Sequence, residues 1–123
     1  LCFDFGNSRK KLAVFSNKKI IAERILYTDT SGEIETLLQE FKPQKSILSS
    51  VINHNPGIED TLKEKTHFHK LSVATKLNFT APVGKPETIG ADRLAIAAAA
   101  VQFYKPAARV FRRRNFAGYA NAF

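Results

Sequence analysis

The chain has 123 residues, 44% of them apolar and 24% charged, with one cysteine and a formal net charge of +8. That is enough for one modest domain with its own core. A lone Cys2 excludes an internal disulfide scaffold, and no apolar run approaches the roughly 18 residues that read as a membrane span.

The positive charge invites a nucleic-acid reading, but its distribution argues against one. Arg109, Arg112, Arg113 and Arg114 carry half of the excess, and all 11 acidic residues precede them. The body is mildly basic and carries no basic stripe interleaved with aromatics, so small anions suit it better than a polyanion. Neither a nucleic-acid nor a membrane partner is expected. Cys2 lies in an apolar run and reads as a small buried hydrophobe in a reducing, cytoplasmic compartment. No signal peptide is visible. The chain begins at Leu1 without Met, so leading residues are expected upstream.

In chain order, Leu1 to Phe5 reads as a short apolar strand with an acid near its end. Gly6-Asn7-Ser8 is a tight turn, and Lys11 to Phe15 the returning strand. Asn17 marks another turn before a third strand, Ile20 to Tyr27. Three strands joined by turns this short make an antiparallel meander. Thr30 or Ser31 can cap a helix through Phe41, whose apolar stripe is Ile34, Leu37, Leu38 and Phe41. Pro43 stops it.

Lys45 to Ile52 reads as a buried strand, 53–57 as a loop, Ile58 to Lys65 as a short helix and His67 to Val73 as a further strand. An irregular stretch over 75–86 leads to a helix capped by Thr88 and ending near Tyr104. The order βββαβαβα, without repeats or low-complexity linkers, implies an α/β domain with a mixed sheet and helices on its faces.

Two stretches carry chemistry. Asp4-Phe5-Gly6-Asn7-Ser8 ends a strand in a turn where Gly6 lets the backbone approach an anion and Asn7 and Ser8 can donate to it. Asp4 can hold Mg²⁺, which takes one or two carboxylates plus phosphate oxygens and water, and Lys11 follows on the next strand. A plain β-turn accounts for the same residues.

The second stretch is Pro86-Glu87-Thr88-Ile89-Gly90-Ala91-Asp92-Arg93-Leu94. Asp92 and Arg93 fall at the start of an Ala-rich helix, where the dipole and free N–H groups favour an anion. Asp92 can accept a proton from a substrate hydroxyl, and Arg93 offers a planar fork for a carboxylate or phosphate. An acid in a first turn also simply complements the helix dipole. Phosphoryl transfer needs both kinds of group, one holding nucleotide phosphate and metal, one orienting the acceptor hydroxyl.

Asp4-Phe5-Gly6-Asn7-Ser8 with Lys11, then Ser49-Ser50-Val51, then 86–95 resembles the type III pantothenate kinases in order and spacing over residues 1–108. The resemblance implies the acetate and sugar kinase, heat-shock-protein and actin superfamily: two ribonuclease H-like domains facing each other across an ATP cleft, usually in a homodimer. It implies ATP-dependent phosphorylation of pantothenate, the first step of coenzyme A synthesis, with Mg²⁺ and a monovalent cation, K⁺ or NH₄⁺. Under it, Asp4 lies near metal and phosphate, and Gly6, Asn7, Ser8 and Lys11 contact phosphate. Asp92 is the catalytic base, and Gly90 and Arg93 contact pantothenate.

Val83 stands at a substrate-contacting position where that family commonly has tyrosine. The end departs further. Three consecutive arginines from Arg112 cannot continue a buried strand without partners, and no Asp follows Asp92. Residues 1–106 are thus expected to form the N-terminal kinase domain, and 107–123 an altered, frame-shifted or truncated start of a second. The ligands of the monovalent cation would lie in that second domain. With half a cleft, the chain is expected to show little or no turnover.

The competing readings are a degenerate, non-catalytic kinase domain of the Baf-type transcriptional accessory kind, binding a partner or nucleic acid, and a ribonuclease H-type nuclease. The latter needs several clustered carboxylates, and only Asp4 and Asp92 are well placed. His54, His67 and His69, with one distant Cys, make no zinc pattern and read as surface histidines.

Overall fold

The structure, a computed structural model, describes residues 1–77 and 89–103. It is a mixed α/β arrangement of five strands in one sheet and three helices among those residues. Two compact units divide at Lys70/Leu71.

In the first unit the meander forms as expected: β1 (Cys2–Phe5), β2 (Lys10–Ser16) and β3 (Lys19–Leu26) pair antiparallel in succession. Asn17 and Lys18 take the left-handed conformation that a tight hairpin turn demands. A bulge at Val14/Phe15 kinks the β2–β3 pair. After α1 (Ser31–Phe41), β4 (Lys45–Ser50) runs parallel to β1, and after α2 (Pro56–Lys65), β5 (His67–Lys70) runs parallel to β4. The strand order is β3-β2-β1-β4-β5, so β1 is central.

Alternation along the strands separates two faces. Phe3 and Phe5 of β1, Leu12 and Val14 of β2, Leu26 of β3 and Leu48 of β4 join Ile34, Leu37 and Leu38 of α1 and Ile58 and Leu62 of α2 in one core. Both helices therefore cover the same face. Phe5 and Leu48 are fully buried, each burial worth about 1.5–3 kcal/mol. The alternate positions, Asp4, Lys11 and Ser49 among them, belong to the opposite face.

The helix ends differ from expectation in instructive ways. Thr30 is the N-cap of α1, but its side chain makes no capping bond. Glu33 instead reaches back and accepts from the Thr28 N–H at 3.2 Å and the Thr28 hydroxyl at 2.6 Å. Lys42 closes α1 in a left-handed conformation, donating its N–H to Leu38 O, with Pro43 next. α2 starts at Pro56 rather than Ile58. Asn55 caps it by accepting from Gly57 N–H at 2.9 Å, and Pro56, which lacks an N–H, fits the first helical turn.

In the second unit, α3 (Ala91–Phe103) buries Ala91, Leu94, Ala97 and Ala100, a stripe of every third residue, against Leu71, Leu77 and Ile89. At its start Gly90 O accepts from Leu94 N–H at 3.2 Å. Thr88, Val83 and the tail from 104 lie outside the described residues.

Candidate active site

β1 delivers Asp4 to its end because Phe3 and Phe5 on either side are drawn into the core. Asp4 pairs in register with Lys11 of antiparallel β2 and with Ser49 of parallel β4. Lys11, Asp4 and Ser49 thus form one row across three adjacent strands, on the face away from α1 and α2. Neighbouring strands lie about 4.8 Å apart, so the row spans roughly 10 Å. Asp4 and Lys11 are exposed.

Above this row the chain turns through Gly6, Asn7 and Ser8. Gly6 N–H donates to Arg9 O at 2.9 Å and closes the hairpin. A Cβ at Gly6 would meet only Arg9 O, at 3.5 Å, and its φ lies outside the left-handed region. The hairpin itself therefore does not require glycine there. Asn7 and Ser8 are exposed at the tip. The turn borders an open cleft of about 570 Å³, closed on the other side by Ile25, Leu26 and Tyr27 of the β3 end and by Ile52.

Ser49 is 9% exposed, and its Oγ is buried with no hydrogen-bond partner among the described residues. An unmet hydroxyl in such a place costs about 1–3 kcal/mol. The other serines of β4 are satisfied: Ser46 Oγ lies 2.5 Å from Thr66 Oγ1, and Ser50 Oγ donates to Ile52 O at 3.0 Å.

The loop after β4 is braced beneath the turn. His54, expected at the surface, has a side chain only 5% exposed. Its ring packs edge-to-face on Phe5, with centroids 5.2 Å apart. Its Nε2–H donates to Glu59 Oε1 at 2.9 Å, and its Nδ1 lies 3.1 Å from Ser50 Oγ. Lys70 Nζ, on β5, donates to the same Glu59 oxygen at 2.7 Å. Burial pushes the Glu59 carboxyl up, but the hydrogen bonds from Lys70 and His54 outweigh it and hold Glu59 below the usual glutamate range. Ser50, His54 and Glu59 follow the order of an acyl-transfer triad. The Ser50 hydroxyl is committed to Ile52 O and the imidazole is buried, so the chain of contacts serves as a brace.

A second tie joins the start of β2 to two loops. Lys10 Nζ meets Asp29 Oδ1 at 3.0 Å, Asn55 N–H donates to Asp29 Oδ2 at 3.0 Å, and Asn55 Nδ2 donates to Asp29 O at 2.9 Å. The Lys10 hydrogen bond is the main cause that lowers the Asp29 carboxyl below its usual range. Cys2 is half-buried, and burial raises its thiol.

In the second unit, Asp92 and Arg93 both project from the first turn of α3 and are exposed. Arg93 N–H donates to Gly90 O at 3.1 Å. The structure thus gathers Asp4, Gly6, Asn7, Ser8 and Lys11 in one unit, and Gly90, Asp92 and Arg93 in the other. Val83 is outside the described residues. Ser49, His54, Glu59 and Asp29 had no role in the sequence reading, although Ser49 stands within a quoted motif.

The row fits a divalent cation in one respect: a single exposed carboxylate beside an orphaned buried hydroxyl, with an ammonium opposite for phosphate. Mg²⁺ takes few protein carboxylates when phosphate and water supply the remainder. Among the described residues no cluster of three or more His, Cys, Asp or Glu forms, and no helix is long and apolar enough to cross a membrane.

Comparison with known sequences agrees with the motifs. The family model described as type III pantothenate kinase matches residues 1–111. A curated type III pantothenate kinase of Christiangramia forsetii is 36% identical over 106 residues, covering 85% of this chain and 44% of that protein. The chain therefore spans less than half the length of the relative it matches. On this match and on the motifs it covers, the chain belongs to the type III pantothenate kinase family.

Proposed function

We propose that this chain supplies the phosphate-anchoring half of an ATP-dependent kinase that phosphorylates pantothenate to 4′-phosphopantothenate, the first step of coenzyme A synthesis. Family membership supports the reaction. The observation that carries the assignment of roles is the pairing of Asp4 with Lys11 under the open Gly6–Ser8 turn.

In this reading the Lys11 ammonium and the donors of Gly6, Asn7 and Ser8 hold the ATP phosphates. Asp4 holds Mg²⁺, which neutralises charge that develops on the phosphates. Arg93 and Gly90 hold pantothenate, Arg93 by its carboxylate. Asp92 takes the proton of the primary hydroxyl as that oxygen forms its bond to the γ-phosphorus and the bond to the ADP oxygen breaks. Val83 belongs to the same substrate contacts.

Further parts follow from the same reading. The strand order, with β2 alone antiparallel among the described strands, supports a ribonuclease H-like domain of the actin-like ATPase kind over residues 1–106. Residues 107–123 read as an altered, frame-shifted or truncated start of a second domain. K⁺ or NH₄⁺ binds in that second domain, and the active protein is a cytoplasmic homodimer.

Incubation with Mg-ATP and pantothenate, with product detected by mass, tests this. Slow formation of phosphopantothenate that Asp92→Asn abolishes is expected. A rate that Asp92→Asn leaves unchanged would sink the assignment, as would a preference for another alcohol.

A further inference from the structure

On β4 the sequence Ser46-Ile47-Leu48-Ser49-Ser50 places three serines among apolar residues. The fold uses two of those hydroxyls and leaves the third, Ser49 Oγ, buried and unpartnered. A buried hydroxyl without a partner is disfavoured relative to alanine, so Ser49 Oγ calls for an acceptor within its reach. Ser49 is register partner to Asp4, an exposed residue that shares its face of the sheet. On Asp4's other side is Lys11.

We propose that Ser49 is a positioning residue for a divalent cation held by Asp4. Rotation about the Ser49 Cα–Cβ bond lets its O–H donate to one oxygen of the Asp4 carboxylate. That bond fixes the carboxylate so that the other oxygen faces the cation. Ligating carboxylates are commonly held by such a donor, and loss of the donor typically weakens metal affinity 10–100-fold. Asp4 has a flexible torsion and an exposed side chain, and Lys11 opposite would otherwise draw the carboxylate toward itself. A donor on the β4 side opposes that pull. The inference rests on the reading of Asp4 as the metal anchor.

Mn²⁺ binding to the full chain, followed by its electron paramagnetic resonance signal without nucleotide, tests the proposal together with thermal melting of the metal-free protein. Ser49→Ala is expected to weaken Mn²⁺ binding about 10-fold or more, with no fall in the metal-free melting temperature. Ser49→Thr, which keeps the hydroxyl, should restore affinity to near the original. A purely structural hydroxyl would behave in the opposite way, lowering the melting temperature and sparing the affinity, and that result would overturn the proposal. Asp4→Asn separates the two layers. If it abolishes Mn²⁺ binding while Ser49→Ala does not alter it, Ser49 has no such role and Asp4 keeps its own. If Asp4→Asn binds Mn²⁺ normally, or the unaltered chain binds none at millimolar metal, the anchor itself is wrong and Ser49 falls with it.

Discussion

Asp4 and Lys11 are direct partners across the antiparallel β1–β2 pair, so a carboxylate suited to a cation and an ammonium suited to phosphate share one row of the sheet. Both are exposed, so neither is needed for the core. Lys11→Met should therefore change stability by no more than about 0.5 kcal/mol. It should weaken ADP binding by roughly tenfold, the size of one charge-assisted hydrogen bond. Asp4→Asn should instead remove the Mg²⁺ dependence of that binding. Calorimetric titration with and without Mg²⁺ separates the two effects.

Gly6 gives a second test. Since a Cβ there meets only Arg9 O at 3.5 Å, Gly6→Ala should leave the fold intact or stabilise it by about 0.4–1 kcal/mol through the unfolded chain. Nucleotide affinity should nevertheless fall, because the methyl group occupies the space a phosphate would approach. Equal affinity in the two proteins would remove the turn from the phosphate site.

Glu59 joins His54 and Lys70 beneath the turn, with Lys63 Nζ 3.8 Å from its second oxygen. Glu59→Gln should cost about 1–3 kcal/mol, because it leaves His54 with a weakened partner in a buried site. The pH dependence follows from the depressed carboxyl. Its stabilising contribution is fully present above the ordinary glutamate value of 4.5 and is lost as pH falls through the lower folded value. The stability gap between the original chain and Glu59→Gln should accordingly narrow below pH 4.5, read by urea unfolding at several pH values.

Asn55 caps α2 and also holds Asp29. Asn55→Ala should cost about 1–2 kcal/mol, the upper part of the range for an N-cap. Because Asp29 shares those contacts, Asp29→Ala and Asn55→Ala should be non-additive in a double-mutant cycle. Strict additivity would show that the loops are held separately.

The meander, α1 with its apolar stripe and the Ala-rich helix α3 were legible because each rests on local periodicity, propensity and turn chemistry. The turn at Gly6–Ser8 and the Asp92-Arg93 pair were legible for the same reason, being contiguous motifs. The start of α2 was misplaced because Pro56-Gly57 reads as a loop until Asn55 is seen to cap it. Strand order was not legible, since the parallel pairing of β1 with β4 joins residues some 45 positions apart. The same long-range pairing hid the partnership of Asp4 with Ser49. His54 looked like a loop residue because its partners come from a strand end, a helix and the central strand β1.

The most direct test of the phosphate-anchoring claim is a titration of the isotope-labelled chain with Mg-ADP, followed by backbone amide chemical shifts. The largest shifts are expected at Gly6, Asn7, Ser8 and Lys11, and in Asp4→Asn they should no longer depend on Mg²⁺. Shifts confined to other regions, or a response unchanged in Asp4→Asn, would contradict the account.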